Sequence, residues 1–170
     1  MLNDKKIVTI FSGNYYVSDD PQVVIHTILG SCIAVCLFDS ENHIGGMNHF
    51  LLPQQYSSKK RLSKLESGWF GLDSMEAMIN RVLELGGAFP NLKAKVFGGG
   101  QVIENLAPFN INVADANIKF ILSYLIEKKI PVVAKDVGGS FGRKVLYHLE
   151  DHSVLVQRLE KELKLDGWHD

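Results

Sequence analysis

The sequence predicts an α+β fold: a single-domain α/β sandwich with mostly antiparallel sheets and two main helices. Three observations lead there. Short runs rich in β-branched and aromatic residues recur along the chain, separated by glycine loops and turn clusters. Two stretches carry a clear helical apolar period. The order is several strands, a helix, a strand, a helix and a closing hairpin, without internal repeat or linker. A chain of 170 residues, 46% hydrophobic and 22% charged, suits one globular domain with a full core. Residues 1-160 are expected to form it, with 161-170 a charged tail that frays.

Lys6 to Phe11 reads as the first strand, and Gly13 to Val17 as a loop entering a short second one. Asp19-Asp20-Pro21 supplies a turn, after which Val23 to Thr27 leads into a Gly30-Ser31-Cys32 corner. Ile33 to Phe38 is an unbroken apolar run of strand length, which suits burial on both faces. Asp39-Ser40-Glu41-Asn42 provides turn chemistry, and Ile44 to Leu52 returns as a strand. Alternation puts Met47, His49 and Leu51 on one face and Asn48, Phe50 and Leu52 on the other. Residues 54-66 are polar and basic, with Lys59, Lys60, Arg61 and Lys64. They read as a solvated loop or, more sharply, as a basic flap over the corner that meets an acidic partner.

Gly68 to Leu85 is the first helix, with Met75, Met78, Ile79, Val82 and Leu83 at helical spacing and Gly86-Gly87 as its C-cap. Leu92 to Phe97 is a strand ending in Gly98-Gly99-Gly100. No Lys-Ser/Thr follows and no G-x-G-x-x-G is present, so the triple glycine reads as close backbone approach to a strand or substrate, not as a phosphate loop. Asn112 to Lys128 is the second helix, with Ile118, Ile121, Leu122, Leu125 and Ile126 as its stripe and Asp115 near its positive end. Val132 to Val137, Arg143 to Leu149 and Ser153 to Leu159 read as the last strands.

A net charge of -1 leaves no electrostatic footprint for nucleic acid. The apolar runs fall far short of the ~20 residues that cross a bilayer. The first residues also lack a signal-like apolar segment, so the expectation is a cytoplasmic, reduced protein without membrane insertion. Cys32 and Cys36, four apart on one strand, are badly placed to bridge each other. Cys36, between Val35 and Leu37, reads as core. Cys32 follows two small residues whose corner leaves backbone N–H groups converging, which is what an oxyanion site needs. Of six histidines, His49 is the best base, because its strand pairs with the one that Cys32 opens. His43, His152 and His169 read as solvent-exposed, His148 as lacking an obvious partner, and His26 as near the corner. No H-E-x-x-H, C-x-x-C or His-rich spacing occurs, so neither a metal nor another cofactor is expected.

Thr27-Ile28-Leu29-Gly30-Ser31-Cys32, together with Gly45-Gly46-Met47-Asn48-His49-Phe50-Leu51-Leu52-Pro53, closely resembles the CheD family of chemoreceptor glutamine deamidases. The resemblance continues through Ala94-Lys95-Val96-Phe97-Gly98-Gly99-Gly100, the Asn112 to Asn117 helix start, Asp136-Val137-Gly138-Gly139 and Gly142-Arg143-Lys144-Val145. The chain departs from the family at Ala116, where an arginine is frequent, and at Gly68-Trp69-Phe70, where an Arg-Tyr pair is frequent. The resemblance implies Cys32 as nucleophile, His49 as base and Thr27 as the third polar residue. His26 takes that place if the spacing follows members with one more residue before Gly-Ser-Cys. It also implies a substrate, glutamine side chains on the cytoplasmic helices of chemoreceptors, and in some organisms a CheC-type phosphatase as partner.

These groups imply a thioester route, with backbone N–H groups of Gly30 and Ser31 in the oxyanion corner and a thiol pKa lowered toward neutrality by imidazole or corner N–H groups. Two other readings stand beside it. One is a non-catalytic adaptor binding chemoreceptors and a CheC-type phosphatase. The other is a different thiol enzyme, a peptidase or transglutaminase.

Overall fold

The computed structural model describes residues 4–51, 71–102 and 112–160. Within them the chain forms nine strands and two helices in three layers: a four-stranded sheet, a five-stranded sheet, and the helices. The first sheet has the order β1 (Lys6–Thr9), β3 (Val23–Leu29), β8 (Gly142–His148), β9 (Val154–Leu159). The second has the order β2 (Tyr15–Ser18), β5 (Ile44–Asn48), β4 (Ile33–Asp39), β6 (Lys93–Gly98), β7 (Val132–Val137). Only β1–β3 and β6–β7 pair parallel, so the sheets are mostly antiparallel, as expected. The basic segment 54-66, Gly68-Trp69-Phe70 and the tail 161-170 lie outside the described residues.

β4 is the centre of the molecule. All seven of its residues are buried, because one face meets the helices and the other meets the first sheet. Ile33, Val35 and Leu37 join Phe50, Met75, Met78, Val82, Ile121 and Leu125 in the sheet–helix core. Ala34 and Cys36 join Ile25, Leu29, Met47, Phe97, Val145 and Tyr147 between the sheets. The unbroken apolar run of β4 is thus the mark of a two-sided environment.

α1 (Gly71–Glu84) buries Met75, Met78, Ile79 and Val82, while Leu83 is left exposed at the stripe's edge. α2 (Val113–Glu127) begins at Asn112, whose side-chain carbonyl accepts the Asp115 N–H at 3.0 Å. Ile121 and Leu125 are buried, but Ile126 is 76% exposed and does not belong to the core-facing stripe. His152 differs from expectation more sharply. It is buried, stacked on Phe38 with ring centroids 4.7 Å apart and hydrogen-bonded to the Tyr147 hydroxyl at 2.9 Å. A positive φ of 59° at the hairpin turn swings its ring inward, which a reading of local polarity does not reveal.

The triple glycine meets another backbone. Gly98 and Gly99 have φ of +111° and +66°, and a Cβ on Gly98 would collide with the Cys32 carbonyl oxygen. That approach lets the Gly99 N–H bond the Cys32 carbonyl and the Gly100 N–H bond the Gly30 carbonyl, both at 2.9 Å. Gly98→Ala is expected to cost more than ~2 kcal/mol, since it adds a backbone collision to an unfavourable φ. Chemical denaturation checks this: a midpoint unchanged from the native protein contradicts the close approach.

Candidate active site

The sheets bring their chemistry together at one end of the sandwich. β5 ends at Asn48, short of the predicted continuation through Leu51 (Leu52 lies outside the described residues), because the Asn48 side-chain carbonyl takes the Val35 N–H at 2.9 Å and interrupts the ladder. Pairing resumes as a single bridge between Ile33 and Phe50. That register sets Ala34 opposite His49 and Cys32 one diagonal step away on the same, inter-sheet face. Diagonal neighbours are roughly 7–8 Å apart at the backbone, within reach of an imidazole.

His49 is clipped in place along its backbone. Its N–H donates to the Asn14 carbonyl at 3.0 Å, and its carbonyl accepts the Gly13 N–H at 2.8 Å. Across the gap between the sheets, the Thr27 hydroxyl of β3 lies 2.8 Å from His49 Nδ1 and donates to the Ile10 carbonyl at 2.8 Å. A hydroxyl has one proton, and a carbonyl only accepts. With that proton committed to Ile10, Thr27 oxygen accepts from His49, so Nδ1 carries the ring proton and Nε2 keeps its lone pair. Thr27 is 1% exposed and His49 6%, so burial pushes the imidazole pKa down to about 4 and the ring is neutral at pH 7.

Alternation along β3 sends Thr27 and His26 to opposite faces. Thr27 faces the sandwich interior; His26 faces the other way, with its Nδ1 3.2 Å from the Thr9 hydroxyl. Only Thr27 reaches His49.

Both cysteines are free thiols, Cys36 fully buried and Cys32 partly exposed. Burial pushes both thiol pKa values up. For Cys32 this reverses the expectation of a thiol lowered toward neutrality: loss of hydration outweighs the Ser12 hydroxyl, which favours the thiolate. Burial thus favours the neutral form of both the Cys32 thiol and the His49 imidazole. Ser12 had no signal in the sequence. Its buried Oγ is near enough to Cys32 to favour the thiolate without a fully formed hydrogen bond, and it sits in the Phe11–Asn14 loop that is pinned to His49.

The Gly30-Ser31-Cys32 corner has all three carbonyls occupied. Gly100 N–H holds Gly30, Gly99 N–H holds Cys32, and the Asn117 amide of α2 donates to Ser31 at 2.8 Å. None of the three N–H groups donates to a backbone carbonyl among the described residues. The arrangement can hold a thiol, a neutral base whose Nε2 keeps its lone pair, and N–H groups without backbone acceptors among the described residues, all in one place. Asn117 was legible in the sequence only as part of the helix start. It does lie four and eight residues before Ile121 and Leu125, so a polar side chain on the buried face of α2 was the available signal.

A family model described as CheD chemotactic sensory transduction matches residues 51–158. The chain is 42% identical over 152 residues to a probable chemoreceptor glutamine deamidase CheD 1 of Dechloromonas aromatica, covering 89% of this chain and 73% of that one. To the protein so described from Geobacter sulfurreducens it is 38% identical over 167 residues, 96% of this chain and 83% of that one. The crystal structure of Bacillus licheniformis hypothetical protein YfiH superposes with a TM-score of 0.43 at 12% identity, over 81% of this chain and 60% of that one.

Proposed function

The chain belongs to the CheD family, and on that footing we propose that it is a protein-glutamine deamidase acting on chemoreceptors in bacterial chemotaxis. The observation that carries the chemistry is the Thr27–His49 contact, which leaves Nε2 as a base on the face that Cys32 shares.

In this reading the Cys32 proton passes to His49 Nε2 as Sγ bonds the glutamine amide carbon. The carbonyl electron pair moves onto oxygen, held by N–H groups of the Gly30-Ser31-Cys32 corner, a contribution of roughly 3 kcal/mol per donor in other enzymes. The oxyanion collapses, the C–N bond breaks, and the proton on Nε2 leaves with ammonia. A water then gives a proton to the same nitrogen and attacks the thioester. The C–S bond breaks, glutamate is released and the thiol is reprotonated. The substrate is the cytoplasmic part of a chemoreceptor, and the enzyme works in the cytoplasm.

Incubating a chemoreceptor cytoplasmic fragment with the protein and mapping peptides by mass spectrometry tests this. Site-specific glutamine-to-glutamate conversion is expected; cleaved or cross-linked chains would instead indicate a peptidase or transglutaminase. An unchanged receptor would favour the adaptor reading, in which the chain binds receptors and a CheC-type phosphatase.

Thr27→Val is expected to lower turnover roughly ten- to hundredfold, since leaving a buried Nδ1–H without its acceptor costs about 1–3 kcal/mol. Thr27→Ser, which keeps the hydroxyl, is expected to restore most of it. Equal activity in both variants contradicts the orienting role.

A further inference from the structure

We infer that Asn117 is a positioning residue for the oxyanion corner: by holding the Ser31 carbonyl, its side-chain amide aims the Cys32 N–H at the reacting carbonyl oxygen. The inference rests on the proposed acyl-transfer chemistry and assigns a part of it to a residue of the other layer.

Three peptide planes make up the corner, and each is held by a different group. The Gly30–Ser31 plane is fixed through the Gly30 carbonyl by Gly100 N–H. The Cys32–Ile33 plane is fixed at both ends, by Gly99 N–H on the Cys32 carbonyl and by Ile33 N–H on the Phe50 carbonyl at 3.0 Å. The Ser31–Cys32 plane between them has no backbone hydrogen bond among the described residues. Its carbonyl is held by Asn117 Nδ2 at 2.8 Å.

In a trans peptide the C=O and the following N–H lie in one plane and point in opposite directions. Asn117 belongs to α2, which packs on the helix side of the second sheet, so the Ser31 carbonyl faces that side. The Cys32 N–H must then face away from α2, toward the inter-sheet side where Thr27 and His49 meet. Asn117 is fully buried, so its hydrogen bond to the Ser31 carbonyl is not exchanged for water. α2 carries it on the buried side of its first two turns, ahead of Ile121 and Leu125. The helix thereby sets the orientation of a donor on the far face of the sheet without touching the substrate.

Two reactions of the same thiol separate this role from a structural one. Acylation by p-nitrophenyl acetate puts negative charge on a carbonyl oxygen and needs the donor. Alkylation by iodoacetamide needs only an accessible thiolate. In Asn117→Ala and Asn117→Leu, which remove the amide without adding charge, acylation of Cys32 is expected to slow roughly ten- to a hundredfold. Alkylation of Cys32 and its pH dependence are expected to stay within about twofold of native, because the thiol's surroundings are unchanged. On a receptor fragment, kcat is expected to fall with KM unchanged.

Cys36 provides the fold control. It is fully buried, so the thiol stays unmodified unless the domain opens. Acylation and alkylation slowing together, acylation unchanged in both variants, or Cys36 becoming reactive in both would each overturn the inference. So would native protein that alkylates at Cys32 and never acylates there. None of these readouts needs glutamine as substrate. An inactive native protein on receptor with selectively slowed acylation in the variants would leave Asn117's role standing and remove the deamidase reading instead.

Discussion

Cys32→Ala is expected to abolish conversion of receptor glutamines, with a loss on the order of 10⁴-fold or more, since in the proposed reaction its removal takes away the covalent nucleophile and leaves only binding and the corner's N–H groups. Cys32→Ser is expected to be nearly as inactive. The resting site already opposes ionisation: burial raises even the thiol's pKa, and an alcohol starts far above it. Cys36→Ala is the internal comparison. That thiol lies in the inter-sheet core beside Met47 and Ala34, so its loss costs stability and leaves turnover in place. Peptide mass spectrometry of a receptor fragment after incubation with each variant reads all three. Substantial conversion by Cys32→Ala, or loss of conversion by Cys36→Ala alone, would show that the nucleophile has been misassigned.

His49→Ala is expected to reduce turnover roughly 10²- to 10⁴-fold, the usual range for a general acid–base group. The pH behaviour distinguishes this histidine from an ordinary one. Its imidazole is held down to about 4 by burial, so the base form dominates well below pH 6.5. The acid limb of kcat/KM is therefore expected below pH 5, with little change between pH 6 and 8. A limb centred near 6.5 would contradict the buried, neutral imidazole.

The same depression makes the fold sensitive to acid. Above pH 6.5 the ring is neutral folded and unfolded, and it has no effect on the balance. Between 6.5 and about 4 the unfolded chain binds a proton that the folded one refuses, so stability falls as pH falls. A drop from 6.5 to about 4 corresponds to roughly 3 kcal/mol. His26 and His152 are lowered by burial too and act in the same direction. His49→Gln is expected to remove only its own share, seen as a shallower loss of melting temperature between pH 7 and 4. Parallel curves for the two proteins would contradict a buried neutral His49.

Most elements were legible from local pattern. β4 announced two-sided burial through six apolar residues in a row, and both helices through their periodic stripes and a capping residue or closing glycines. The errors lie where a tertiary contact overrides the local pattern. β5 stops at Asn48 because a side chain competes for a ladder N–H, and His152 goes inside because a left-handed turn residue points it there. The extent of the second strand and the polarity of a hairpin turn carry no trace of either.

The candidate site divides along the same line. Cys32 after two small residues, and His49 on the strand that returns beside it, are neighbours through a short turn, so sequence order alone determined that pair. That Thr27 and not His26 meets His49, and where the Ser12 loop, the glycine N–H groups and Asn117 sit, depend on tertiary structure alone. Thr27 lies in the first sheet while His49 follows the end of β5 in the second, and Asn117 reaches Ser31 across 86 positions of chain. Hydrogen bonds of that kind depend on which face a residue presents and what the opposing layer places within about 3 Å of it. Chain order sets the first; only the folded layers set the second.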